Sequence, residues 1–142
     1  MPQVSDTHPT PERLDCHTAQ FEINWPEKTT AVVAVRGELD AANGAQFVEF
    51  ALSNSEDTDR LVIDLSGLTF FATAGFTAMH TLNVQCVGEE IRWALVPSAA
   101  VVRLLRICDP DSALPICSDV ADALTTVHNE APRLLQLVPQ PS

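Results

Sequence analysis

A chain of 142 residues, 46% of them hydrophobic, is long enough for one compact domain and apolar enough to give it a core. Nineteen acidic residues against eight basic ones leave a formal net charge of −11. That balance excludes the basic footprint of a nucleic-acid binder and disfavours adsorption to an anionic membrane.

No apolar run approaches the roughly 18 residues of a membrane span. The N-terminal segment MPQVSDTHPTPERLD has neither the basic nor the apolar region of a signal peptide. A cytoplasmic protein is therefore expected. Cys16, Cys86, Cys108 and Cys117 have no metal-like spacing and form no dense disulfide framework, so reduced, partly buried thiols are expected.

Residues 1–18 are polar, carry three prolines and read as a mobile arm. AQFEINW (19–25) alternates: Phe21, Ile23 and Trp25 share one face, as in a half-buried strand. Pro26 with Glu27 and Lys28 reads as a turn. AVVAV (31–35) is a continuous apolar strand. A loop over 36–40 follows, then a helix over about 41–54 with Asp40 as its N-cap. LVIDL (61–65) is the next buried strand and runs into a Gly-bearing turn at Ser66-Gly67; LTFF (68–71) then leads through the small-residue step Ala72-Thr73-Ala74-Gly75 to a helix. That helix ends at Gly88. IRWALV (91–96) is a strand, and a helix from Ser98 stops at Asp109-Pro110. ALPIC (113–117) is a weak strand whose Pro115 suggests an edge. A last helix carries Val120, Leu124 and Val127, and residues 129–142 form a Pro-containing tail.

The order β-β-α-β-α-β-α-β-α predicts an α/β domain, a mixed sheet of about five strands covered by about four helices. Functional groups in such folds lie where strands end. The loops over 36–40 and 68–75 are therefore expected to share one edge. Thr73 would stand at the mouth of a helix, as its N-cap. Unpaired N–H groups and partial positive charge favour an anion at such a place.

At this point the chain resembles the STAS domain of bacterial anti-sigma factor antagonists. The residues that carry the likeness are VVAVRGELDAANG (32–44), LVIDLSGLTFFATAGF (61–76) and VPSAAVVRLLRICD (96–109), and it spans about 19–128. In that family a Ser or Thr of an Asp-Ser-(Ser/Thr)-Gly-Leu motif is phosphorylated by an anti-sigma factor serine kinase. The unphosphorylated antagonist binds that kinase and frees a sigma factor. The resemblance places Thr73 on the phosphoacceptor position. It implies a partner-binding set of Glu38, Asp40, Ala72, Thr73, Ala74 and Gly75. Here Ala72 replaces the motif Asp and Ala74 the second hydroxyl, while Gly75 is kept.

An enzyme would need a base beside Thr73. His80 lies two helical turns away, the Gly-x-Ser-x-Gly elbow is absent, and no P-loop or dinucleotide fingerprint appears. The chain is thus expected to be no enzyme and to need no cofactor. The alternative is a STAS module without phosphorylation, serving a small ligand or a signalling assembly. Thiol control through Cys86, Cys108 and Cys117 is a further reading, set against ordinary small buried residues.

Overall fold

The computed structural model describes residues 13–109 and 114–129. These form five strands: β1 (Arg13–Cys16), β2 (Ala19–Glu27), β3 (Thr30–Leu39), β4 (Arg60–Phe71) and β5 (Arg92–Val96). Four α-helices accompany them: α1 (Gly44–Leu52), α2 (Thr73–Gly88), α3 (Ala99–Cys108) and α4 (Val120–Asn129). The strands lie side by side in chain order. β1, β2 and β3 pair antiparallel, then β3, β4 and β5 pair parallel. The mixed sheet and its helices match the expectation.

Alternation along the strands divides the core. Phe21, Ile23, Val33, Val35, Leu61, Ile63 and Leu95 face α1, α2 and α3, where they meet Phe47, Met79, Leu82 and Val101. Val62, Ala94 and Val96 face the other way, onto Ala123 and Val127 of α4. Phe21 is the hinge of the aromatic packing. Its ring stands edge-on to Phe47 at 5.7 Å, with Phe50 at 5.6 Å, a geometry that adds to simple area burial.

Several expectations need correction. Arg13–Cys16 lies within the span expected to be a mobile arm, yet it pairs with β2 in register from Arg13 with Glu22 to Cys16 with Ala19. Residues 1–12 lie outside the described part, as do residues 130–142 of the expected tail. β2 runs through Pro26 to Glu27 with an irregularity between Asn24 and Glu27, so the turn falls at residues 28–29. A bulge accommodates a residue without an N–H. β3 and β4 continue through residues 36–39 and 66–71, which the sequence marks as loops. They pair there, Gly37 with Leu68, Glu38 with Phe70 and Leu39 with Phe71, across two register shifts. Gly37 supplies one irregularity with φ of 95°, and a Cβ there would run into the Thr18 carbonyl. α1 begins at Gly44, after Asn43, not after Asp40. The expected strand near 113–117 contributes a single bridge, Ile116 with Leu95, in which the Pro115 carbonyl accepts from Leu95 N at 2.8 Å.

The four thiols are free. Cys86 is fully buried, and that burial, reinforced by Glu89, pushes its pKa up to about 12.

α4 is tied to the β2–β3 hairpin by His128. Its Nδ1 meets the Leu124 carbonyl at 2.8 Å and its Nε2 meets Glu27 Oε1 at 2.7 Å. Both partners are acceptors, so only the imidazolium satisfies both contacts. The Leu124 carbonyl first, and then Glu27, raise the His128 pKa. The His128 hydrogen bond and charge lower that of Glu27. The contribution of Glu27 is complete above the ordinary carboxylate range and is lost as pH falls through its lowered pKa. That of His128 is complete below about 6.5 and is lost as pH rises through its raised pKa. The contact should be strongest from about pH 4.5 to 6.5. The pair is exposed, so the effect on stability is small. A pH series of unfolding temperatures should show an alkaline decline that His128→Ala flattens; identical curves would remove this role.

Candidate functional site

The site lies where β3 and β4 end and α1 and α2 begin. The Ala72 N–H donates to the Leu39 carbonyl at 3.1 Å, which ties the entry of α2 to the end of β3. Glu38 and Asp40 flank Leu39 in sequence. One main-chain hydrogen bond thus brings the two segments expected to share an edge together, as extended strands and not as loops.

Asn43 organises the β3 side. It is fully buried. Its Oδ1 accepts from Asp40 N at 3.0 Å, and its Nδ2 donates to the Glu38 carbonyl at 3.0 Å and to the Cys16 carbonyl at 3.4 Å. Asp40 closes its own turn, Oδ1 accepting from Ala42 N at 2.9 Å, and its carbonyl accepts from Gly44 N at 2.9 Å. Asp40 is therefore an Asx-turn residue preceding the helix, with its carboxylate half-buried at the surface. Asn43 does not stand out in the sequence as a site residue. Its Asn-Gly signal was visible, but the three partners depend on a contact with β1.

The α2 side starts without a cap. Ala72 is the N-cap residue, in extended backbone, and no side chain bonds the exposed end. Thr73 is the first helical residue and is exposed, so the expectation that it caps the helix is corrected. Its carbonyl accepts from the Thr77 hydroxyl at 3.2 Å, leaving the Thr73 hydroxyl at the surface. Ala72 and Ala74 are half-buried beside it. Gly75 is buried against Phe71, whose ring would stand 2.6 Å from a Cβ at that position. Gly44 approaches the Ala74 carbonyl, so the starts of α1 and α2 pack together. Phe70, 49% exposed and in register with Glu38, adds an apolar side chain at the rim that the sequence reading did not single out.

α2 carries no Asp, Glu, Lys or Arg over its sixteen residues. On a chain of net charge −11, its exposed residues Thr73, Thr77 and Thr81 make a neutral strip. Among the described residues no group of His, Cys, Asp and Glu is placed to hold a metal ion. No described helix is long and apolar enough to cross a membrane.

A missing N-cap is a testable weakness. Ala72→Asp should bond a free N–H of the first turn and complement the helix dipole. It is expected to stabilise the fold by about 1 kcal/mol, seen as a rise of a few degrees in unfolding temperature; an unchanged value would mean that solvent already serves those groups.

A sheet of this order, with its helices packed on both faces, defines a small α/β domain. The STAS domain profile matches residues 22–123, and the chain belongs to the STAS domain family. Osmosensory protein A of Mycobacterium tuberculosis (strain ATCC 25618 / H37Rv) is 39% identical over 136 residues, covering 93% of this chain and 85% of that protein. An anti-sigma factor antagonist from Mycobacterium paratuberculosis has the same fold, with TM-score 0.68 and 23% identity over 78% of this chain and 95% of that one. The unphosphorylated form of the anti-sigma factor antagonist SpoIIAA superposes with TM-score 0.63 at 16% identity, covering 78% and 98%. The fold also recurs within SLC26A9, where 79% of this chain matches 21% of that one at TM-score 0.64 and 17% identity.

Proposed function

We propose that this protein is an anti-sigma factor antagonist-like regulator. It binds an anti-sigma serine kinase through Glu38, Asp40, Ala72, Thr73, Ala74 and Gly75, releases a sigma factor, and is switched off by phosphorylation of Thr73. The observation that carries the reading is the exposed Thr73 hydroxyl at the start of uncapped α2, joined to the Glu38–Asp40 segment through Ala72 N and the Leu39 carbonyl. Phosphorylation adds about −1.5 to −2 charges. The helix N-terminus tolerates them, so the domain stays folded. A partner packed on Ala72 and Ala74, over the buried Gly75, instead meets bulk and charge that are expensive to desolvate.

The test is phosphorylation and binding with candidate anti-sigma kinases from the same genome, read by intact mass and pull-down. The name of the Mycobacterium tuberculosis relative ties that protein to osmosensing, so osmotic upshift is the first condition to apply. One phosphate on Thr73 with loss of binding, and loss of binding in Thr73→Glu, are the expected results. Unchanged affinity of Thr73→Glu would sink the switch.

The second reading, a STAS module that is never phosphorylated, is favoured by Ala72, which stands where the motif has Asp. Binding of a small ligand or an assembly partner, with no phosphate transfer from any candidate kinase, would establish it.

A further inference from the structure

The opposite end of the sheet holds a second group of polar residues that the switch does not use. Glu27, Thr30, Arg60 and Arg92 form one row across four strands: Glu27 pairs with Thr30, Thr30 with Arg60, and Arg60 with Arg92. Residues in lateral register share a face. Two positions further along, Val62 and Ala94 pack beneath α4, so the row lies on the α4 side of the sheet.

Among the described residues, two buried side-chain polar atoms have no hydrogen-bond partner: Thr30 Oγ1 and Arg60 Nε. They belong to directly paired residues. Thr30 is fully buried. The charges beside them are also unbalanced. The ion pairs among the described residues are Arg13 with Glu22 and His128 with Glu27, so neither Arg60 nor Arg92 is in one; the Glu27 carboxylate, committed to His128, is the acidic group near enough to feel Arg60 and the Thr30 hydroxyl. Glu27 is held by His128 at 2.7 Å. Two like charges side by side on adjacent strands destabilise a sheet, and a buried N–H or hydroxyl without a partner costs free energy. Both penalties fall on the same spot. An oxyanion would relieve both by accepting from Arg60 Nε and the Thr30 hydroxyl while lying between two guanidinium groups.

We propose that Thr30, Arg60 and Arg92 form a binding site for a small free oxyanion of the phosphate type, at the end of the sheet opposite Thr73. Glu27 is its internal competitor, drawn aside by His128. The site is independent of the kinase reading.

The probe is inorganic phosphate at constant ionic strength, followed by amide chemical shifts of the full chain, with chloride as the reference. Saturable shifts are expected at Thr30, Arg60 and Arg92. Arg92→Gln should weaken binding at least tenfold. Glu27→Gln should tighten it several-fold, an effect that a purely structural arginine would not produce. Shifts that fail to saturate, that persist unchanged in Arg92→Gln, or that centre on Thr73 and Ala74 would each overturn the site.

Discussion

Asn43→Ala is expected to destabilise the protein by about 2–4 kcal/mol, the largest loss from any polar residue described above. The side chain answers one N–H and two carbonyls from three different places: Asp40, Glu38 and Cys16. Truncation leaves all three without this partner around a side chain that is itself fully buried, though the partners lie on half-buried or exposed residues that water partly reaches. Neutral buried groups left unpaired cost about 1–3 kcal/mol each, and partial relaxation keeps the sum below the simple total. Asn43→Asp should be no rescue, since it keeps an acceptor for Asp40 N but turns a carboxylate oxygen toward two carbonyls. Denaturant unfolding should show a lower midpoint with unchanged slope. Amide exchange should show that protection falls first in β1 and at Asp40. A loss below about 1 kcal/mol would mean that the turn is held by its backbone alone. Under the proposed function the same variant also weakens kinase binding, because Asp40 and Glu38 lose the group that fixes them.

Much of the framework could be read from local pattern. The alternation of Phe21, Ile23 and Trp25, the apolar run LVIDL and the helical spacing around Met79 and Leu82 each depend on near neighbours, and each appears in its element. The misses share a cause. RLDC is short and has all but Cys16 exposed, so nothing in it announces β1; the strand exists because β2 offers an edge. Gly37 and Gly67 read as turns, yet both sit inside long paired strands, where the irregularities at the β3–β4 pairing absorb them. Asp40 has the chemistry of an N-cap and uses it on Ala42 instead, because Asn43 already fixes the chain ahead of α1. Thr73 came forward as the candidate phosphoacceptor from the family motif alone, and the structure adds that it is exposed at the start of α2. The row of Thr30, Arg60 and Arg92 was not legible, since those residues become neighbours only through strand register.

Gly75→Ala should separate packing from helix propensity at the centre of the site. Within a helix the substitution normally gains up to about 1 kcal/mol. Here the new methyl would meet the Phe71 ring at 2.6 and 2.8 Å, and Phe71 is itself buried at the end of β4. Overpacking of this kind costs about 1–3 kcal/mol, so it outweighs the gain, and a net loss of about 1–2 kcal/mol is expected. Relief requires the ring or the first turn of α2 to move, and that turn carries Thr73 and Ala74. Gly44→Ala is the matched control on the facing helix. Its methyl would find the Ala74 carbonyl at 3.4 Å and the Ala78 methyl at 3.7 Å, ordinary contact distances. It should be neutral or slightly stabilising. If Gly75→Ala lowers the unfolding temperature and, under the proposed function, affinity for the kinase, while Gly44→Ala lowers neither, close packing on Phe71 sets the position of the Thr73 turn. Equal behaviour of the two variants would show that the ring yields freely and that Gly75 has no such part.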